Sequence, residues 1–129
     1  MWLGIETSSL VSSVALMDEH NLIGELTIQA GLTHSEQLVP HIDMLLRASQ
    51  VERNELKGIV VSIGPGSFTG LRIGCAVANT LADGLGMPIV GSSGDHWRED
   101  CLERLKRGEN DMVILPEYGS EAHITAPRK

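Results

Sequence analysis

Two stretches carry residue types that could do chemistry. The first is Glu6-Thr7-Ser8-Ser9, a carboxylate followed by three hydroxyls directly after the short apolar run WLGI. A carboxylate and hydroxyls in a tight turn can hold a metal-bound phosphate, and the same residue types also populate ordinary turns. The second is GPGSFTGLRIG, residues 64–74, with four glycines and a proline between an apolar run and a helical pattern. Backbone N–H groups at a strand-to-helix turn attract anions. Two nucleotide motifs can be tested against it. A P-loop needs GxxxxGK followed by Ser or Thr, and this stretch has no lysine. A dinucleotide fingerprint needs GxGxxG opening the first βαβ unit, whereas the spacing here is GxGxxxG after a fourth strand. Neither motif is matched. Phosphate contact through Glu6, Thr7, Ser8, Gly64, Gly66 and Ser67 stands open beside a purely structural role.

No catalytic set emerges elsewhere. His20, His34, His41, His96 and His123 form no HExxH or HxxxH, and no Cys/His cluster accompanies them, so no metal ligand is expected. Ser67 lacks the GxSxG context of a nucleophile elbow. Cys75 and Cys101 lie far apart without CxxC spacing and read as buried reduced thiols.

The elements that must position these residues follow from periodicity. Residues 2–6, 11–17 and 22–28 read as strands joined by short polar turns, an antiparallel meander. In the third, Leu22, Leu26 and Ile28 share one face; Ile23, Glu25 and Thr27 share the other. Thr33 and Glu36 then have capping-box spacing, and Leu38, Ile42, Leu45, Leu46 and Ser49 recur at helical intervals, with a bend expected near Pro40. GIVVSIG (58–64) suits a strand covered on both faces. A helix from Phe68 to Asp83 stops at Gly84, and MPIVG (87–91) supplies a fifth strand. Asp95 is expected to cap a third helix with Trp97, Cys101 and Leu105 on one face, followed by a short strand and a loose basic tail. The fold class is α/β, a mixed five-stranded sheet of βββαβαβ order with helices packed on it.

The second helix carries an unusual pattern. Gly70, Gly74, Ala78 and Ala82 recur every four residues beside a bulky stripe of Ile73, Val77, Leu81 and Leu85. Each interior glycine costs about 1 kcal/mol relative to alanine, so close packing should offset it. The expectation is that the bulky stripe covers the sheet and the small stripe admits another helix. That helix is either the first helix of the same domain or one from a partner.

Composition sets the outer bounds. The chain has 129 residues, 42% hydrophobic, enough for one domain with a core. Ten Lys plus Arg against 17 Asp plus Glu leave a net charge of −7, which argues against direct nucleic-acid binding. No run is long enough for a membrane span, and the N-terminus does not read as a signal peptide, so a cytoplasmic location is expected.

LGIETSS, THSEQLVPHIDMLL and GPGSFTGLRIG with its following helix together resemble the TsaB (YeaZ) family of bacterial tRNA threonylcarbamoyladenosine biosynthesis. The last string is highly specific, and the resemblance covers roughly residues 2–93. It implies a fold related to actin, sugar kinases and heat-shock ATPases, the ribonuclease H-like type, built from two similar subdomains. It implies a non-catalytic subunit that binds the catalytic TsaD-like paralogue, with a TsaE-like ATPase as third component and a homodimer when alone. The implied contact surface is the two-helix face bearing Leu38, Ile42, Leu45, Gly70, Gly74, Ala78 and Ala82. Residues 1–93 correspond to the first subdomain, and 94–129 read as a C-terminal helix and tail in place of the second. The competing reading is a small nucleotide-binding or hydrolytic remnant, an ATPase or glycoprotease-like enzyme holding ATP with magnesium at the strand-1 turn and the Gly-rich loop.

Overall fold

The computed structural model describes residues 1–9, 11–29 and 34–117. Strands β1 (Trp2–Glu6), β2 (Val11–Met17) and β3 (Leu22–Gln29) are followed by α1 (His34–Ala48), β4 (Gly58–Ser62), α2 (Phe68–Leu85), β5 (Ile89–Ser92) and α3 (Trp97–Lys106). They form one sheet in the order β3-β2-β1-β4-β5. β1 and β2 pair antiparallel, as do β2 and β3, whereas β1–β4 and β4–β5 are parallel. This is the expected mixed sheet. Parallel neighbours need a crossover, and α1 and α2 supply the two that bring β4 and β5 into line. The expected Thr33 cap, His123 and the basic tail lie outside the described residues.

The two faces of the sheet are covered by different helices. On one, Leu38, Ile42 and Leu45 of α1 and Cys75, Ala78 and Ala82 of α2 join Leu3, Ile5, Val14, Ile59 and Val61 in the main core. On the other, Trp97 and Cys101 of α3 pack on Met17, Val60 and Val90. Hence β1 and β4 are buried along nearly their whole length, as their unbroken apolar runs require. No helix among the described residues is long and apolar enough to cross a membrane.

Several element ends differ from the sequence expectation, each for a local reason. Leu16 faces Gly24 but Met17 faces Leu22, so Ile23 is an extra residue in β3. The bulge breaks the strict alternation: Ile28 is buried while Leu22 is exposed. α2 passes through Gly84 and stops at Gly86, whose φ of 66° places it in the left-handed region and whose N–H reaches the carbonyls of Ala82 and Asp83. Glycine takes that conformation without a Cβ penalty, which makes Gly86 the effective stop. β5 begins at Ile89, because Met87 still donates to Ala82 of α2. His96, not Asp95, occupies the cap position of α3, without a side-chain capping bond.

The stretch after α3 is no strand. Asn110 and Asp111 use their side chains in place of a ladder: Asn110 Oδ1 accepts from Ile89 N–H at 3.1 Å, and Asp111 Oδ2 from Gly91 N–H at 3.0 Å. The Asn79 amide of α2 donates to the Ile114 carbonyl and accepts from its N–H, both at 2.9 Å. This strap covers the outer edge of β5, where unpaired backbone groups would invite foreign strands. Arg104 fastens it, donating to the Gly91 carbonyl at 2.9 Å, to Glu109 at 2.7 Å and to Asp111. Those bonds raise the Arg104 pKa and hold the Glu109 carboxyl below its usual range.

Two predictions follow from this frame. Arg104→Met should cost about 2 kcal/mol, the scale of lost charged hydrogen bonds. Calorimetry should show a lower melting temperature, and hydrogen exchange at Gly91 and Asp111 should accelerate. Burial pushes the Cys75 thiol from 9.0 to about 11 and the Cys101 thiol to about 12. The unfolded chain therefore sheds these protons first as pH rises, so their contribution is complete below about 9 and declines towards 11 and 12. Urea titrations across that range should show stability falling with pH, and Cys101→Ala should flatten the slope.

Candidate functional site

Because β1 and β4 are parallel neighbours, the turn after β1 and the loop after β4 emerge at the same end of the sheet. All six residues weighed for phosphate contact meet there, and several of their polar groups bond within the turn and loop. Ser67 N–H donates to the Ser8 carbonyl at 2.7 Å, and Ser8 Oγ donates to Glu6 at 3.1 Å. Ser67 Oγ accepts from Gly70 N–H at 3.2 Å and so caps α2. From the other side, Gly94 N–H reaches the Gly64 carbonyl at 3.0 Å, and Glu117 N–H reaches that of Ile63 at 2.6 Å.

The glycines of the loop admit the chain's own backbone. A Cβ on Gly66 would strike the Ser8 carbonyl, one on Gly64 the Glu117 carbonyl, and one on Gly70 the Thr7 carbonyl. A Cβ on Gly74 would overlap Thr7 Oγ1. Thr7 is 1% exposed, and its hydroxyl, closed in under α2, has no hydrogen-bond partner among the described residues. A phosphate cradle needs open N–H donors with room before them. Here carbonyl oxygens fill the space that a side chain would take at Gly64, Gly66 and Gly70, and Ser67 Oγ accepts from Gly70 N–H.

A second polar group at this end escaped the sequence reading. Ser13 faces Glu6 across β2 and β1, and Ser62 faces Ser92 across β4 and β5. Since Ile5 is level with Val61, the four make a continuous row on the face covered by α3. Ser62 is 3% exposed; Ser92 Oγ donates to Asp100 of α3 at 2.7 Å. The signal was the serine ending each of the runs GIVVS and IVGS, a polar residue at the C-terminal end of a parallel strand.

The two stripes of α2 are reversed relative to expectation. Gly70, Gly74, Ala78 and Ala82 are buried against the chain's own sheet, whereas Ile73, Val77, Leu81 and Leu85 are half-buried on the flank. The cause is Thr7: its bulk at the end of β1 leaves space only for residues without a side chain in the facing turns of α2. Leu38, Ile42 and Leu45 are likewise inside the core. None of the seven residues expected at an interface lies on the surface of this chain. The apolar side chains that do reach solvent on these helices are Val39 (45% exposed) and Met44 (52%) of α1 and Phe68 (53%) of α2.

The comparisons with known proteins agree with this architecture. A family model described as "TsaD: tRNA N6-adenosine threonylcarbamoyltransferase" matches residues 27–94, just over half of the chain. That span carries α1, β4, the Gly-rich loop, α2 and β5, so the chain belongs to this family of ribonuclease H-like α/β proteins. Within it, the chain is a member of the TsaB (YeaZ) branch. The TsaB protein of Haemophilus influenzae is 31% identical over 125 residues, 95% of this chain and 52% of the relative. That of Bacillus subtilis is 39% identical over 87 residues, 67% of this chain and 38% of the relative. The solved structure of YeaZ from Pseudomonas aeruginosa superposes with a TM-score of 0.66 at 32% identity, covering 71% of this chain and 43% of that one. The chain thus spans about half, or less, of the length of the relatives it matches.

The packing of α2 gives a direct test. Gly74→Ala should destabilise the chain by about 1–3 kcal/mol, the usual cost of overpacking, despite the better helix propensity of alanine. Ala76→Gly, on the exposed side of the same helix, should cost about 1 kcal/mol through propensity alone. Denaturant unfolding of both variants checks the difference.

Proposed function

We propose that this chain acts in tRNA threonylcarbamoyladenosine biosynthesis as a non-catalytic interaction module. It binds a TsaD-like catalytic paralogue, or a second copy when alone, through the outer face of α1 and α2. A TsaE-like ATPase completes the assembly. What supports the role is membership of the TsaB branch; what supports the face is the exposure of Val39, Met44 and Phe68 on two adjacent helices. Exposed large apolar side chains are a feature of protein contact surfaces. The nucleotide-binding alternative has weaker support, since Ser67, one of its residues, already bonds the Ser8 carbonyl through its N–H and Gly70 N–H through its Oγ.

On this reading the contact uses exposed residues of α1 and α2 in place of the buried small stripe. Met44→Glu and Val39→Glu should each leave the melting temperature within about a degree, as exposed substitutions do. Both should reduce co-elution with the TsaD-like paralogue of the same genome in size-exclusion chromatography after co-expression. If the unmodified chain and the paralogue elute separately, the reading falls.

A further inference from the structure

Arginines in this acidic chain are almost all neutralised internally. Arg47 and Arg53 pair with Asp43, Arg98 with Glu25, Arg104 with Glu109 and Asp111, and Arg107 with Glu109. Among the described residues the exception is Arg72, on the exposed side of α2. Its guanidinium lies 5.4 Å from the centroid of the Phe68 ring, a cation–π contact that fixes its position without satisfying its charge. No Asp or Glu occurs in α2 before Asp83, and the first turn of the helix has no acidic residue. The positive end of the helix dipole adds to the guanidinium there. Beside them Thr69, Arg72, Ile73 and Ala76 line a shallow depression.

We infer that Arg72, held over Phe68, receives a carboxylate from the protein partner, with apolar side chains of that partner seated on Phe68 and Ile73. The inference rests on the proposed two-helix contact and names its chemistry. A guanidinium can form two parallel bonds to a carboxylate, and Arg is among the residue types enriched where interfaces draw most of their affinity. The surroundings favour a protein over RNA. Nucleic-acid surfaces cluster several cations, whereas here one cation stands among apolar and hydroxyl side chains on a chain of net charge −7.

The test compares Arg72→Glu, Arg72→Met and Met44→Glu in the full chain. Affinity for the TsaD-like paralogue is measured by biolayer interferometry at low and high salt, with circular dichroism melting as the control for folding. Arg72→Glu should weaken binding by about tenfold or more, within the range for charge pairs at interfaces. Arg72→Met should weaken it less and abolish most of the salt dependence seen with the unmodified chain. Binding of Arg72→Glu at unmodified affinity, while Met44→Glu still binds poorly, would overturn the inference and leave the two-helix contact intact. Absence of binding by the unmodified chain would remove both. An effect of Arg72→Glu confined to a tRNA gel shift, or to self-association in sedimentation, would also overturn it.

Discussion

The close approach of α2 to the end of β1 is the constraint on which the rest of the molecule depends. Thr7 sits at the point where the first strand gives way to its turn, and α2 must pass directly over it. That passage requires Gly70 and Gly74, and it brings the N-terminus of α2 against the turn at Ser8. The loop between β4 and α2 is then short of space, so Gly64 and Gly66 press on backbone as well. Two interior glycines in one helix cost roughly 2 kcal/mol in propensity. Burial of Leu71, Cys75, Ala78 and Ala82 along the same face more than offsets this. One steric contact thus decides the sequence of the loop, the composition of the helix and the fate of its polar atoms.

That contact also explains what the sequence could and could not convey. The strands were legible because their burial differs by face: WLGIE and GIVVS sit between two helical layers and read as unbroken apolar runs. The helices were legible from their period, although α2 passes the expected stop at Gly84 and ends at Gly86. The orientation of α2 was not. Small and bulky stripes are both compatible with the sheet side, and helical periodicity is blind to which stripe meets a threonine brought from sixty-odd residues away in the chain. The strap at 109–117 was misread for a related reason. MVIL has the propensity of a strand, but Asn110 and Asp111 before it take the edge positions with their side chains. The bulge at Ile23 was hidden too, since it depends on register against β2.

The distribution of polar groups at the sheet end separates two notions of a site. Glu6, Thr7, Ser8, Gly64, Gly66 and Ser67 do converge, so the residue types chosen from sequence were brought together. Convergence alone confers no binding capacity. Ser67 N–H and Ser8 Oγ form bonds within the turn and loop, Ser67 Oγ caps α2, and carbonyl oxygens take the side-chain space of the glycines. The row Ser13, Glu6, Ser62 and Ser92 shows the complementary case, with polar side chains on the covered face at the C-terminal ends of β1, β4 and β5 and near the start of β2.

Among the arginines of the described residues, one points its charge outward unpaired. The chain's excess of carboxylates is spent in part on arginines of its own, which stiffen α1, α3 and the strap. Surface pairs of that kind contribute little to stability individually, yet they leave few cations to attract another molecule. Arg72 is set apart by its element: α2 runs from Phe68 to Leu85 with Asp83 as its single acidic residue, and the neighbouring residues are small or apolar. A lone positive charge on an apolar flank gains most when desolvated by a matching carboxylate and loses most when buried without one. Such a group selects partners by exclusion as much as by attraction. On the proposed reading, that is how an acidic module meets one protein surface and leaves the polyanionic tRNA to other members of the assembly.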